Sequence, residues 1–407
     1  MSSTAFAFDP FAEGFSDDPY PHYARLRAFA PACEHPLGFW IISRYADVSR
    51  FQKAGHPVDE RHLARVPGWR GDSGTPAAAP GRGDRPMRGL SMLDQDPPNH
   101  TRLRHLVTKA FTRGAVEALR VRVEALVDGA LGRIAEAGQA DVVTELAFPI
   151  PFTVISELLG IPITGQARLR ELIGTLARSL EPMPDPGQRA AIRAADEELL
   201  SIVADLARWK RAHPGDDVFS GLISAADDGD VLTEEELVAQ VMFLYIAGHE
   251  TTVNFLAGGI LALLRHPDQL RMLGDRPELA PNAVEELLRY DTSVHLMRRI
   301  TTEPLAVGGE EIPAGSWVVA ALAAANRDPG FWGPDADALR LGRPNAHLNI
   351  SFGAGMHRCL GAALARLEGG VTFPRFARRF PAAVVRDVQW NGRINIRGPA
   401  RLSIAVR

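Results

Sequence analysis

Apolar residues recur every three or four positions along most of this chain, with charged residues between them. Between 115 and 136, Leu119, Val123, Leu126, Ala130 and Ile134 repeat in this way. That spacing puts one apolar stripe on a helix and leaves arginines and acids on the opposite face. Segments 187–212, 234–265 and 281–291 read alike. Stretches with strand character are few: GFWIIS at 38–43, SWVVAAL at 316–322 and short pieces near the C-terminus. EEIPAGSW reads as a turn between two short strands. The pattern predicts a mainly α protein with a small β component, and neither repeats nor a long linker divide it.

The strongest helix signal begins at Thr233. TEEE at 233–236 has the form of a capping box, and the apolar run then continues to Pro267. This predicts a helix of about 32 residues, roughly 48 Å long. Its centre reads Ala247-Gly248-His249-Glu250-Thr251-Thr252. Glycine and threonine are poor helix formers, and a carboxylate in a core is costly unless paired or used. A Thr251 hydroxyl can bond the Ala247 carbonyl one turn back, which bends helices. The expectation is a helix that opens or kinks here beside something polar.

Composition changes the picture little. Of 407 residues, 46% are hydrophobic and 23% charged, as in an ordinary globular protein. A net charge of −4 gives no reason to expect a nucleic-acid partner. The N-terminus has neither a basic start nor a long apolar run, and no stretch reaches the 18 uncharged apolar residues of a membrane span. Two cysteines, Cys33 and Cys359, make no disulfide framework, so a reducing cytoplasm is expected. Two loops stand out: the Gly- and Pro-rich segment 66–89, long enough for a functional lid, and EPMPDPG at 181–187.

Cys359 carries the chemistry. It stands in FGAGMHRCLG at 352–361, ahead of a helical stretch. Three readings compete: a buried structural cysteine, a nucleophile with His357 as base, and a metal ligand. Gly353 and Gly355 permit close backbone approach, and a helix start just after Cys359 favours a thiolate. Arg358 breaks any dinucleotide fingerprint, and no CxxC supplies a zinc site. One thiolate in a glycine loop suits a metal whose other ligands come from a macrocycle, as in haem.

FGAGMHRCLG resembles the haem loop of the cytochrome P450 family, FGxGxHxCxG, at all six fixed positions. The resemblance extends over nearly the whole chain. AGHETT at 247–252 resembles the oxygen-groove motif of the family's long central helix. EELLR at 285–289 contains the ExxR pair Glu286 and Arg289, with Arg343 as third member. HTRLR at 100–104 matches HxxxR, and AANRDP at 324–329 is typical of bacterial members.

The resemblance implies a single P450 domain over residues 1–407, its β-richer N-terminal part and helix-rich part not independent. Haem b (iron protoporphyrin IX) would lie between the central helix and the cysteine-loop helix, with Cys359 on the iron. His100, Arg104, Ala247, Arg299, Phe352, His357 and Gly361 would contact the haem; for the propionate arginine, Arg298 beside Arg299 leaves a one-residue ambiguity. Glu250 and Thr251 would relay protons for oxygen activation. Leu93, Phe243, Val294 and Leu296 would line a hydrophobic substrate pocket, with Ile394 and Ile396 at the far end and His295 the polar exception.

The implied function is a monooxygenase that hydroxylates or epoxidises a hydrophobic small molecule with O2. Electrons would come from a ferredoxin and its reductase, docking on a basic patch of Arg102, Lys109, Arg113 and Arg358. A monomer free of membrane and nucleic acid is expected. A peroxide-driven peroxygenase, a non-catalytic haem sensor and a cysteine hydrolase are the alternatives.

Overall fold

The computed structural model describes residues 8–59, 61–62, 86–162, 166–181, 186–227 and 230–406. Most of the Gly- and Pro-rich segment 66–89 lies outside them; its end, Pro86–Gly89, forms a short 3-10 turn. Within the second proline loop, residues 182–185 also lie outside.

The long central helix is Glu234–Arg265, opened by the expected capping box: Thr233 accepts from the Glu236 N–H and the Glu236 side chain accepts from the Thr233 N–H. It is buried along nearly its whole length, and other helices pack around it. Arg120–Ala137, Pro186–Ala212 and Ala280–Tyr290 match the periodic segments read from sequence. Behind Cys359 runs the helix Ala362–Arg379, hereafter the cysteine helix.

The central and cysteine helices lock through glycine. A Cβ on Gly259 would stand 2.5 Å from the Phe373 ring, and one on Gly369 would stand 2.7 Å from the Phe255 ring. Each helix thus offers a hole for the other's phenylalanine, and the two rings meet edge to face with centroids 5.2 Å apart.

The expected opening of the central helix does not occur. Helix is continuous through 247–252, although Thr251 Oγ1 does donate to the Ala247 carbonyl at 2.7 Å and Thr252 Oγ1 to that of Gly248 at 3.2 Å. Both bonds add to the helical ladder without displacing it. Gly248 serves packing instead: its missing side chain admits Ile155 from the helix Pro149–Leu159, which would meet a Cβ at 2.9 Å.

The larger sheet has the order Ala32–His35, Phe39–Ile42, Trp317–Ala321, Leu296–Ile300, and its middle pair is parallel. The two inner strands were legible; the outer two were not. A three-stranded sheet joins Val384–Trp390, Pro399–Ala405 and Gln139–Asp141. The strands flanking IPAGS pair in different sheets, Glu310–Ile312 with Leu305–Val307, so that turn is a crossover and not a hairpin. Among the described residues, no helix is long and apolar enough to cross a membrane.

Buried histidines leave a mark on stability. His249 sits between Phe148 and Phe152, and neither ring nitrogen has a hydrogen-bond partner. Burial, with repulsion from Arg170, pushes its imidazole down to about 3. The unfolded chain titrates near pH 6.5. Above that pH neither state takes up the proton; as pH falls from 6.5 toward 3 only the unfolded state does, so stability is lost in that window. His249→Leu should therefore recover about 2–3 kcal/mol of the acid-induced loss at pH 4.5 relative to pH 7. Urea midpoints at the two pH values measure this; equal losses in variant and parent would refute it.

Candidate functional site

Cys359 follows a tight turn that only glycine can make here. Gly353 and Gly355 have φ of 66° and 72°, the left-handed region. A Cβ on Gly355 would lie 2.5 Å from the Gln52 carbonyl oxygen. The close approach that these glycines permit is thus to the helix Tyr45–Lys53. The Cys359 N–H then donates to the Phe352 carbonyl at 2.9 Å, closing the loop.

The Cys359 thiol has exposed surface, yet protein atoms surround it closely, so it faces an internal hollow and not open water. Burial pushes its titration up. The Gly361 N–H and the guanidinium groups of Arg104, Arg358 and Arg366 act against burial and favour the thiolate. The cysteine helix begins at Ala362, with its N-terminus toward the sulfur.

The central helix carries an incompletely buried stripe. Its residues are nearly all buried, but Phe243, Ala247, Gly248, Glu250 and Thr251 are half-buried. Positions 243, 247 and 250–251 recur at i, i+4 and i+7/8, one stripe of a helix. Phe352, Val294 and Leu296 are half-buried too, Leu93 is 38% exposed, and Ile396 pairs backbone to backbone with Val294. His295 does not belong with them: it is fully buried, its Nδ1 lies 3.3 Å from the Tyr23 hydroxyl, and burial pushes its imidazole to about 3.

A cluster of buried nitrogens lies nearby, in which burial favours the neutral imidazoles, His100 being pushed down to about 4. His100 and His357 are 4.3 Å apart between ring centroids, and the buried Nε2 of each has no hydrogen-bond partner. Asp96 approaches His357 at 3.6 Å, but its oxygens already accept the N–H groups of Val58 and Asp59. Arg299 is buried, and desolvation lowers its titration to about 10. Arg298, the next residue along the strand, is exposed and stacks on Trp317 at 4.2 Å. Arg104 donates to the Arg358 carbonyl at 2.7 Å. Buried donors left unpaired are costly. Two carboxylates of a bound molecule would satisfy them, so the residues present fit haem with its propionates.

Behind the loop stands a polar support. Arg289 binds Glu286 through two nitrogens at 2.7 and 2.8 Å, and Arg343 reaches the same carboxylate at 3.1 Å. Arg289 also donates to the carbonyls of Asn326, Ala336 and Ala338. The Asn326 side chain in turn holds Ser351 Oγ at 2.8 Å and the Ile350 N–H at 3.0 Å, just ahead of Phe352. Sequence motifs pointed to the carboxylate and its two arginines; the Asn326 link to the loop carried no signal.

Glu250 was expected to face the reaction. Its carboxylate accepts from Arg393 Nη1 at 2.8 Å, a partner 143 residues away that sequence reading missed. In the basic patch, Arg102 is ion-paired with Glu236, Arg358 is exposed, and the Arg113 side chain lies outside the described residues.

Comparison with known proteins agrees with this geometry. The cytochrome P450 family model matches residues 191–392. Cytochrome P450 107B1 of Saccharopolyspora erythraea is 37% identical over 97% of this chain and 96% of its own. Cytochrome P450 monooxygenase PikC of Streptomyces venezuelae is 38% identical over 97% and 92%. The crystal structure of P450BioI in complex with a hexadec-9Z-enoic acid ligated acyl carrier protein superposes with TM-score 0.87 at 28% identity, over 97% of this chain and 99% of that one. A family match and identities of 37–38% over nearly the whole chain, in a fold shared end to end with these proteins, place the chain in the cytochrome P450 family, as a haem-dependent monooxygenase.

Proposed function

We propose that this protein holds haem b through Cys359 and oxygenates a hydrophobic small molecule, by hydroxylation or epoxidation, with electrons from a ferredoxin and its reductase. The observation that carries the reading is the pair of buried imidazole nitrogens without partners, His100 Nε2 and His357 Nε2, with Arg104 in electrostatic reach of both His100 and the glycine-turned Cys359 thiol.

Bound haem supplies the oxygen-activating redox chemistry. The chain's own residues bind, shield and deliver protons. The Cys359 thiolate is the iron ligand, and the Gly361 N–H and three guanidiniums hold its charge. His100, Arg104, Arg299 and His357 neutralise the propionates, with Ala247, Phe352 and Gly361 against the ring. Thr251 spends its proton on the Ala247 carbonyl, which leaves its oxygen free to accept a bond from the hollow. Glu250, one residue away, carries protons toward Thr251. Phe243, Val294, Leu296 and Leu93 form an apolar lining with no fixed charge among them, which selects an apolar substrate. The chain works as one P450 domain in the cytoplasm.

The absorption spectrum of the purified protein, reduced under carbon monoxide, tests this. A strongly red-shifted Soret band supports haem with thiolate ligation; a colourless protein despite haem supplied during expression refutes it. Thr251→Ala should still bind substrate while product formation falls on the order of 10²-fold, the electrons leaving as hydrogen peroxide. Full coupling of electrons to product in that variant would remove Thr251 from the mechanism. Unimpaired turnover with peroxide and no redox partner would favour a peroxygenase.

A further inference from the structure

The turn 391–398 joins three parts of the pocket. Glu181, just after the helical segment 166–180 (hereafter the roof), accepts the N–H groups of Ile394, Asn395 and Ile396 at 2.9, 3.0 and 3.0 Å. Asn395 Nδ2 donates to the Leu180 carbonyl at 2.8 Å, and its Oδ1 accepts the Leu296 N–H at 2.9 Å. The turn is thereby pinned to both the roof and the pocket wall.

Arg393 occupies the middle of this turn, and its side chain is 10% exposed. Nη1 donates to Glu250 at 2.8 Å and Nη2 to the Gly174 carbonyl at 3.1 Å. Gly174 lies on the roof helix Gln166–Ala177. One planar guanidinium therefore ties the central helix at its acid to the roof. Its outer edge borders a solvent-open cleft of about 420 Å³, bounded also by Arg170, Thr175 and Arg178. Arg393 lines that cleft and Glu250 does not.

We propose that Arg393 is a positioning residue of the proton relay. It fixes the direction of the Glu250 carboxylate and couples it to the helix Gln166–Ala177. This rests on Glu250 being the proton carrier. Lysine could keep the ion pair but lacks the rigid fork that serves two acceptors at once.

The experiment uses haem-loaded Arg393→Gln, Arg393→Lys and Glu250→Gln. Amide hydrogen exchange reads the roof without any turnover. Arg393→Gln should speed exchange over 174–181 roughly tenfold, the effect of losing about 1.4 kcal/mol of local protection, while Glu250→Gln leaves that segment unchanged. The solvent isotope effect on oxygen consumption, with a surrogate ferredoxin and reductase supplying electrons, reads the relay. Arg393→Gln should shift it as Glu250→Gln does, and Arg393→Lys should restore it without restoring roof protection. Parental exchange in Arg393→Gln overturns the inference, as does a parental isotope effect there when that of Glu250→Gln has moved. An unmoved isotope effect in Glu250→Gln sinks the relay itself and reduces Arg393 to a structural strap.

Discussion

Cys359→Ala is expected to lose the red-shifted carbon monoxide band altogether, and monooxygenase activity with it. Losing a residue that merely supports a metal ligand costs ~10–100-fold in affinity or activity; here the ligand itself is removed. The other residues facing the sulfur cannot replace it. Arg104, Arg358 and Arg366 are cations, and the Gly361 N–H is a donor, so all of them need an anion where Cys359 stands. Haem absorbance per mole of protein and the reduced carbon monoxide spectrum check this. A variant that keeps the native band would show that Cys359 is not the ligand.

Glu286→Gln should have an equally severe effect by another route. Glu286 and Arg289 are wholly buried and Arg343 nearly so. Glutamine leaves Arg289 in the interior without its carboxylate, while Arg343 keeps only the carboxylate of Asp335 at 3.1 Å. Breaking a buried pair costs about 3–5 kcal/mol, against a total stability of about 5–15 kcal/mol for a typical domain. The damage also travels: Arg289 holds the Asn326 carbonyl, and Asn326 holds Ser351 and Ile350 at the entrance of the Cys359 loop. The expected outcome is little soluble protein, a lowered urea midpoint and less haem per chain. A variant with parental midpoint and haem content would show that this network supports neither fold nor loop.

The helices were legible because each buries a face at a period that the sequence displays; Glu234–Arg265 was read to the residue. The outer strands were not. LMRRI at 296–300 mixes basic and apolar residues, and only its pairing with Trp317–Ala321 makes it a strand. That pairing also separates Arg299 from Arg298, which no count of residues could do. The interruption expected at AGHETT failed because propensity was weighed without packing: Ile155 fills the space that Gly248 vacates. At the site, the Glu286–Arg289–Arg343 network was legible, because a buried carboxylate needs those cations at that spacing. Arg393 did not announce itself. An arginine in a turn carries no signal of its partner when that partner is a glutamate on a distant helix.

The contact between Gly355 and Gln52 bears on how the protein is made. Ribosomes deliver the Cys359 loop about 300 residues after the Gln52 helix, which takes roughly 15–60 s. Until then the surface against which the loop is moulded waits without its complement. A nascent chain halted before this loop would lack both Cys359 and the turn that fits against the Gln52 helix.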